Sequence, residues 1–258
     1  MSKISILIIP GAFGLPELHD PVVRPIADQG HDIRALHMET AGLGSGGARD
    51  GHKAPDMYAD AALIAREVEV LADAGREIII VAHSYGGVPM TESTRGLRVA
   101  ERKKQGKPGG IVRIAYLTAL VPAVGMTGAE ALTGAAQEDP GRPSTSIDEN
   151  GWLYYVEFSK EASKSFSDLP AEEGERMVRR FTRQSAAAFG SPLTHAGYND
   201  VPVSYLICEN DRVIPAESQR TGIKRIEEAS GKKVDITCID AGHVPISSSP
   251  QLVINWIG

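Results

Sequence analysis

Six short runs rich in apolar and β-branched residues recur along the chain and alternate with longer segments of helical periodicity. This alternation is typical of a parallel sheet, because each pair of parallel strands needs a crossover that a helix usually supplies. We therefore predict an α/β fold with a mostly parallel central sheet and helices on both faces. The predicted strands span residues 4–9, 32–36, 77–82, 112–117, 203–208 and 233–239.

Two of the segments between these runs have helical patterns. Residues 54–75 place apolar side chains at spacings of three and four, which lines them along one face of a helix. This segment and the shorter one at residues 20–30 each close with a glycine, Gly75 and Gly30, the residue that favours a left-handed helix terminus. The apolar positions of the longer segment are Ala61, Ile64, Ala65, Val68, Leu71 and Ala72.

The pattern changes between residues 123 and 199. This stretch contains no run that resembles a buried strand, and it is rich in Gly, Pro, Ser and charged residues at 134–151. Helical patterns follow at residues 161–166 and 170–190. We interpret the stretch as a helical lid insertion, about residues 123–199, within a single domain that spans residues 1–258.

Composition and charge limit the partners that we expect. A chain of 258 residues with 42% hydrophobic content is long enough to bury one α/β core. The net charge is −6 and the densest basic cluster, residues 102–107, is short, so we expect no nucleic-acid partner. No apolar run is long enough to cross a membrane, and residues 4–9 lack a cleavage site, which favours a first strand over a signal peptide. We expect a cytoplasmic monomer or homodimer that acts on a small molecule, with no membrane partner.

The cysteines and histidines do not have the spacing of a metal site. Cys208 and Cys238 both lie in predicted strands, and we expect two buried free thiols. The histidines are scattered without a metal-ligand pattern. The sequence therefore predicts no metal and no cofactor.

Three polar residues follow three of the predicted strands. They are Ser84, Asp211 and His243, and reactive groups collect at the carboxyl ends of parallel strands. A serine hydroxyl is a poor nucleophile unless an imidazole takes its proton and a carboxylate orients that imidazole. Serine, then acid, then histidine is the chain order expected of hydrolases whose serine lies on a strand-to-helix turn. That turn is usually written G-x-S-x-G, and Ala82 here replaces its first glycine.

Each of these assignments has an alternative. Ser84 could cap an ordinary strand-to-helix turn, and Glu209 is a rival acid two residues before Asp211. Asp211 is favoured because it lies just past the strand and four residues before a proline. We predict that His83 packs beneath the turn rather than acting as the base.

Attack on a carbonyl also creates an oxyanion, which needs backbone N–H donors already in place. One donor follows the nucleophile, at Tyr85. The loop after the first predicted strand offers the second, the Ala12 N–H, and Gly11 lets that loop approach closely. We therefore predict an oxyanion hole formed by Ala12 and Tyr85.

The chain resembles the α/β-hydrolase fold family over nearly its whole length. The resemblance rests on "IIPGAF", "VAHSYGG", "YLTALVP", "PVSYLICENDRVIP" and "DAGHVPISSSPQLV". It is similar to the small-lid branch that includes plant methylesterases, hydroxynitrile lyases and microbial hydrolases. The resemblance implies Ser84 as nucleophile, Asp211 as acid and His243 as base. The lyases place a lysine directly after the catalytic histidine, where this chain has Val244, so an esterase-like activity is favoured.

The resemblance and the aromatic residues of the insertion together predict a substrate class. We expect a serine hydrolase that cleaves a small-to-medium, mostly apolar ester or lactone through an acyl-enzyme. The alternatives are a non-hydrolytic enzyme at the same site, such as a carbon-carbon lyase or a metabolite-tailoring enzyme, and a ligand receptor. The candidate substrate-binding residues are Phe13, Trp152, Tyr155 and His195.

Overall fold

The computed structural model describes residues 4–47, 49, 51–133 and 144–258 of the chain. Strands recur throughout this part of the chain, and most of them fall where apolar runs predict them. In chain order the strands are β1 (Ile4–Ile9), β2 (Asp32–Ala35), β3 (Glu77–His83), β4 (Gly110–Leu117), β5 (Thr145–Ile147), β6 (Trp152–Tyr155), β7 (Gln184–Ser185), β8 (Val203–Cys208) and β9 (Asp235–Ile239).

Helices connect the strands, and short 3-10 turns lie at residues 16–19, 84–86, 187–190 and 197–199. Among the described residues, no helix is both long and apolar enough to cross a membrane. The helices are α1 (Asp20–Asp28), α2 (Met57–Asp73), α3 (Gly87–Ser93), α4 (Val99–Lys104), α5 (Gly128–Thr133), α6 (Phe158–Ser165), α7 (Ala171–Val178), α8 (Ala216–Ser230), α9 (Pro245–Ser248) and α10 (Pro250–Ile257).

The main sheet has six parallel strands in the order β2-β1-β3-β4-β8-β9. Side chains of β1 alternate between its two faces, as a strand requires. Leu7 and Ile9 join a core cluster that contains α2 and α8 residues, and Ile6 and Ile8 join another that contains α1 and α10 residues. Helices therefore cover both faces of a parallel sheet, and the predicted fold class is confirmed.

The ends of α2 follow from local chemistry. Asp56 caps its N-terminus by accepting a hydrogen bond of 3.1 Å from the Tyr58 N–H. Just beyond its last turn, Gly75 has φ of 80°, and Gly30 after α1 has φ of 91°. Both glycines have the left-handed conformation that was predicted for them.

Strand β9 lies at the edge of the sheet, and its side chains are largely exposed. It begins at Asp235, two residues later than predicted. Cys238 is consequently exposed, whereas Cys208 on the internal strand β8 is buried. The expectation of two buried thiols is wrong for Cys238, because an apolar sequence pattern does not distinguish an edge strand from an internal one.

The inserted segment, residues 123–199, is not purely helical. It contains α5, α6 and α7, together with a small antiparallel sheet in the order β5-β6-β7. The expectation of loops and helices alone is therefore wrong. These strands are only two to four residues long, too short for a periodic pattern to reveal. Residues 134–143 of the Gly, Pro and Ser-rich stretch lie outside the described residues.

The strand order creates a crevice at one end of the sheet. From β1 the chain crosses to β2 on one side, and it then returns to place β3 on the other side of β1. Ligands of open parallel sheets bind outside the carboxyl ends of the strands at this switch point. Gly11 and Ala12 follow β1 there, and Ser84 follows β3.

Candidate active site

Ser84 lies at a sharp turn between β3 and α3, and its backbone has φ of 53°, in the left-handed region. A non-glycine residue retains this strained conformation only where its surroundings enforce it. Close packing does so here: a Cβ on Gly86 would lie 2.6 Å from the carbonyl oxygen of Pro10. Ala82, before the turn, is fully buried, so the one methyl group that it adds to the usual motif is accommodated.

The structure brings together the three residues predicted from strand ends. The Nε2 atom of His243 lies 3.0 Å from Ser84 Oγ, and its Nδ1 atom lies 2.7 Å from Asp211 Oδ2. Asp211 and His243 are buried, at 5% and 6% exposure, while Ser84 is partly exposed. This arrangement allows a proton to pass from the serine hydroxyl to an imidazole whose other nitrogen donates to a carboxylate.

Asp211 has hydrogen-bond donors on both carboxylate oxygens. Oδ1 accepts from the backbone N–H groups of Val213 and Ile214, at 2.7 and 2.8 Å. Oδ2 accepts from the hydroxyl of Thr118 as well as from His243. Thr118 has φ of 37°, another strained position. These donors fix the carboxylate in the orientation that contacts the imidazole.

Two other carboxylates near these strand ends, the rival acid Glu209 and Asp240, make contacts away from His243. Glu209 accepts a hydrogen bond of 2.6 Å from Arg220 at the surface. Asp240 accepts from the side-chain amide of Asn210, also at an exposed position. The carboxylate in contact with His243 is therefore that of Asp211, as its position just past β8 indicates.

His83 lies beneath the turn, where the sequence predicts it. Its ring is buried, and Nε2–H donates to the carbonyl oxygen of His243 over 2.7 Å. Burial, together with the nearby His243 ring, lowers the pKa of His83 well below its usual range. A neutral His83 thus holds the backbone of the loop that carries His243 and does not contact Ser84 as a base would.

The inserted segment also holds this loop. Asp168, between α6 and α7, accepts from the Gly242 N–H and from the Ser248 hydroxyl, both at 2.7 Å. A Cβ on Gly242 would lie 2.7 Å from Asp168 Oδ1, so the glycine permits the contact. The residue before His243 is therefore anchored to the inserted segment.

The loop after β1 passes close to Ser84, the predicted nucleophile. A Cβ on Gly11 would lie 2.8 Å from His83 Nδ1 and 3.0 Å from Ser84 Cβ, so this approach needs glycine. Ala12 and Tyr85, the predicted oxyanion donors, line the same cavity as Ser84.

A cavity of about 890 Å³ opens above Ser84 and His243. Two apolar clusters contribute to its walls. One includes Leu120, Leu132 and Phe189, and the other includes Tyr155 and Phe181. The lining also contains the charged residues Glu161, Lys164, Arg212 and Glu217. The cavity can hold a drug-sized molecule, in surroundings that are mainly but not wholly apolar.

Two of the four predicted substrate-binding residues line this cavity. Phe13 and Tyr155 do so, with ring centroids 4.4 Å apart. Trp152 is fully buried instead, and its Nε1–H donates to the carbonyl oxygen of His52. His195 lies outside the lining, with Nε2 3.7 Å from Asp200. The expectation is therefore wrong for both residues, because Trp152 is enclosed against the loop before α2 and His195 faces Asp200 rather than the cavity.

Sequence reasoning missed Thr118 and Asp168, and it missed Asp60, whose buried carboxylate accepts from the Tyr85 hydroxyl at 3.0 Å. A signal existed for Asp60, since it lies on the buried face of α2 beside Met57, Ala61 and Ile64. A carboxylate among apolar positions of helical spacing needs a buried partner. Asp168 lies in the short loop between α6 and α7, outside any apolar helical pattern, and had no comparable signal.

Within residues 4–47, 49, 51–133 and 144–258, no group of three or more His, Cys, Asp or Glu side chains is placed to hold a metal ion.

Burial lowers the pKa of His19, which lines the cavity, to about 4. That imidazole is neutral near neutral pH.

The chain matches a family model and a known protein over nearly its whole length. The model of a family described as "Alpha/beta hydrolase family" matches residues 6–256. "Probable hydrolase R7" of Phoma sp. (strain ATCC 20986 / MF5453) is 31% identical over 251 residues, which cover 97% of this chain and 95% of that protein.

Two solved structures are similar in fold. Polyneuridine aldehyde esterase has a TM-score of 0.74 at 15% identity, with 100% of this chain and 98% of that chain covered. A pyrethroid hydrolase from Sphingobium faniae JZ-2 has a TM-score of 0.71 at 22% identity, with 98% and 96% covered. At these identities the likeness shows a shared fold.

Proposed function

The chain belongs to the alpha/beta hydrolase family, and we propose that it is a cofactor-independent serine hydrolase that cleaves a small-to-medium, mostly apolar ester or lactone. One observation carries the proposal. Ser84, His243 and Asp211 form a continuous hydrogen-bonded chain, with contacts of 3.0 and 2.7 Å, at a cavity of about 890 Å³. The names of relatives that are hydrolases and esterases support the same reaction class.

In the first step, Ser84 Oγ forms a bond to the carbonyl carbon of the ester. Its proton passes to His243 Nε2, which lies 3.0 Å away. The Asp211 carboxylate accepts from Nδ1–H and stabilises the imidazolium that results. The carbonyl π electrons move to the oxygen, so the intermediate is a tetrahedral oxyanion.

The N–H groups of Ala12 and Tyr85 are proposed to stabilise this oxyanion. Donors of this kind each contribute about 3 kcal/mol when they are in place before the reaction begins. The close approach of Gly11 to Ser84 supports the assignment, because it brings the loop after β1 next to the nucleophile.

Collapse of the intermediate breaks the bond to the alcohol oxygen, which takes the proton from His243 Nε2. The product at this stage is an acyl-enzyme on Ser84. Water then donates a proton to Nε2 and attacks the acyl carbon, and a second collapse releases the acid and returns the proton to Ser84 Oγ.

The cavity favours a substrate with apolar groups. Its lining draws on two separate apolar clusters, one with Leu120 and Phe189 and one with Tyr155 and Phe181. We propose that the inserted segment acts as a lid over the bound molecule, because it supplies Tyr155 and Phe181 to the lining.

The proposal is tested by hydrolysis of p-nitrophenyl esters from acetate to octanoate. We expect the wild-type protein to hydrolyse members of this series, and Ser84→Ala to lower kcat by about 10⁴-fold or more. The matched control is Ser93→Ala, since Ser93 is a buried serine on α3 whose hydroxyl donates to the Met90 carbonyl oxygen. A folded Ser84→Ala protein that keeps the wild-type rate would contradict the assignment of Ser84.

A further inference from the structure

Asp60 is a fully buried carboxylate that the proposed chemistry does not use. Its Oδ2 accepts from the Tyr85 hydroxyl at 3.0 Å and from the Thr40 hydroxyl at 2.5 Å. Its Oδ1 accepts from the Thr40 backbone N–H at 3.0 Å. The backbone N–H of Tyr85 is one of the two proposed oxyanion donors. Asp60 therefore holds the side chain of a residue that carries such a donor.

The same carboxylate is connected to the other side of the oxyanion hole. The side-chain amide of Gln184 donates from Nε2 to Thr40 Oγ1 at 3.0 Å. The Oε1 atom of that amide accepts from the Phe13 N–H at 3.1 Å. Phe13 follows Ala12 directly, so a continuous chain of hydrogen bonds joins the loop after β1 to Asp60.

Phe13 itself is in a strained conformation. Its φ is 61°, which is unusual for a residue with a side chain. Both of its backbone polar groups are held by the inserted segment, because its N–H donates to Gln184 and its carbonyl oxygen accepts from the Thr182 N–H at 3.0 Å. Strain of this kind persists only where several contacts enforce it, and it is typical of functional sites.

The Thr40 and Tyr85 groups that contact Asp60 all act as donors, and this set suits an ionised carboxylate. Burial nevertheless raises the pKa of Asp60 to about 6. The folded protein therefore keeps a charge in a place where ionisation is unfavourable. Groups that lower stability are commonly found at functional sites, where their role accounts for their presence.

We propose that Asp60 is a positioning residue that holds both arms of the oxyanion hole, Tyr85 directly and Ala12 through Thr40, Gln184 and Phe13. The inference rests on the proposed function. Asp60 lies away from the reacting atoms, and it fixes the two N–H groups before the oxyanion forms. Donors placed in advance stabilise the transition state more than the ground state, so the contribution belongs in kcat rather than in KM.

Three substitutions test the two arms separately. Tyr85→Phe removes only the hydroxyl of the direct arm, Gln184→Met removes the amide of the longer arm, and Asp60→Asn changes the acceptor that they share. The control is Tyr198→Phe, which removes another buried phenol hydroxyl, one that donates to the Pro122 carbonyl oxygen outside this network. Rates are measured with p-nitrophenyl acetate and divided by the number of active sites titrated with a fluorophosphonate, so that misfolded protein does not contribute.

We expect each of the three variants to lower kcat per active site by about 10-fold to 100-fold, with Asp60→Asn at least as impaired as either single-arm variant. KM should stay within about threefold of the wild-type value. Affinity for a trifluoromethyl ketone, which adds to the serine to give an oxyanion, should fall in parallel with kcat. The Tyr198→Phe control should retain the wild-type kcat and ketone affinity.

Other outcomes separate the possible failures. Variants that lose thermal stability but keep the wild-type kcat per titrated site would overturn the positioning role and leave the proposed function intact. A wild-type protein that neither reacts with the fluorophosphonate nor hydrolyses the ester would reject the proposed function and this inference with it. If Asp60→Asn does not fold, Tyr85→Phe and Gln184→Met decide the question, and unchanged kcat in both would overturn the role.

Discussion

Replacement of Asp60 by asparagine should change how the stability of the protein depends on pH. The pKa of this carboxyl is about 6 in the folded protein, against 3.8 for an unperturbed aspartate. A gap of about two units corresponds to about 3 kcal/mol of free energy of unfolding. The titratable group that faces Asp60 is the Tyr85 phenol, whose own pKa is raised well above its usual range by burial.

The sign of the effect follows from proton linkage. Between pH 4 and pH 6 the folded protein keeps the Asp60 proton while the unfolded chain has lost it, so rising pH favours unfolding. Below this window both states are protonated, and above it both are ionised. The contribution of Asp60 to stability is therefore present in full only below about pH 4, and it is lost by about pH 7.

Urea denaturation, followed by tryptophan fluorescence at several pH values, measures this effect. Asparagine does not titrate, so the unfolding free energy of the wild type minus that of Asp60→Asn should fall by about 2 kcal/mol from pH 4 to pH 7. Tyr198→Phe is the control, and its curve should run parallel to that of the wild type. A wild-type minus Asp60→Asn difference that is constant across this range would refute the assignment of a raised pKa to Asp60.

Three further substitutions test other parts of the site. Asp211→Asn should lower kcat by about 10⁴-fold at unchanged fold, because an amide cannot hold the catalytic tautomer, as a steady-state assay with circular dichroism would show. Asp168→Ala leaves the Gly242 N–H without its acceptor, so the loop that carries His243 should shift. We expect kcat to fall by about 10-fold to 100-fold, and an unchanged kcat would exclude this anchoring role. Gly86→Ala places a methyl group 2.6 Å from the Pro10 carbonyl oxygen, and thermal denaturation should show a loss of about 1–3 kcal/mol.

The main sheet is predictable from sequence because both faces of its inner strands are buried. β1 and β8 have the predicted bounds, Ile4–Ile9 and Val203–Cys208. A continuous apolar run is a strong signal for such strands. The family resemblance, which rests on motifs at the ends of these strands, is confirmed by the family model that matches residues 6–256.

The inserted segment is less predictable because its elements are short. β5 and β7 have three and two residues, and tertiary contacts rather than periodicity decide where they form. The same limit explains the placement of Trp152, whose aromatic character fits a pocket wall and an enclosed position equally well. Only the fold shows that its indole is fully buried and donates to the His52 carbonyl oxygen, in the loop before α2.

The meeting of Ser84, Asp211 and His243 was predictable, because a parallel sheet brings its carboxyl ends to one edge. Residues that hold those groups in place were not. Thr118 and Asp168 act through contacts between segments that are far apart in sequence, and their residue types are common in loops. Such contacts leave no local pattern, so the geometry of the folded chain is needed to find them.

The central claim is that Ser84 is a nucleophile activated by His243 and Asp211. Reaction with a fluorophosphonate probe, followed by peptide mapping, tests it without knowledge of the substrate. We predict a single adduct on the peptide that contains Ser84 in the wild-type protein, and a labelling rate lowered by orders of magnitude in His243→Ala. An adduct on another residue, or a labelling rate that is unchanged in folded His243→Ala, would contradict the claim.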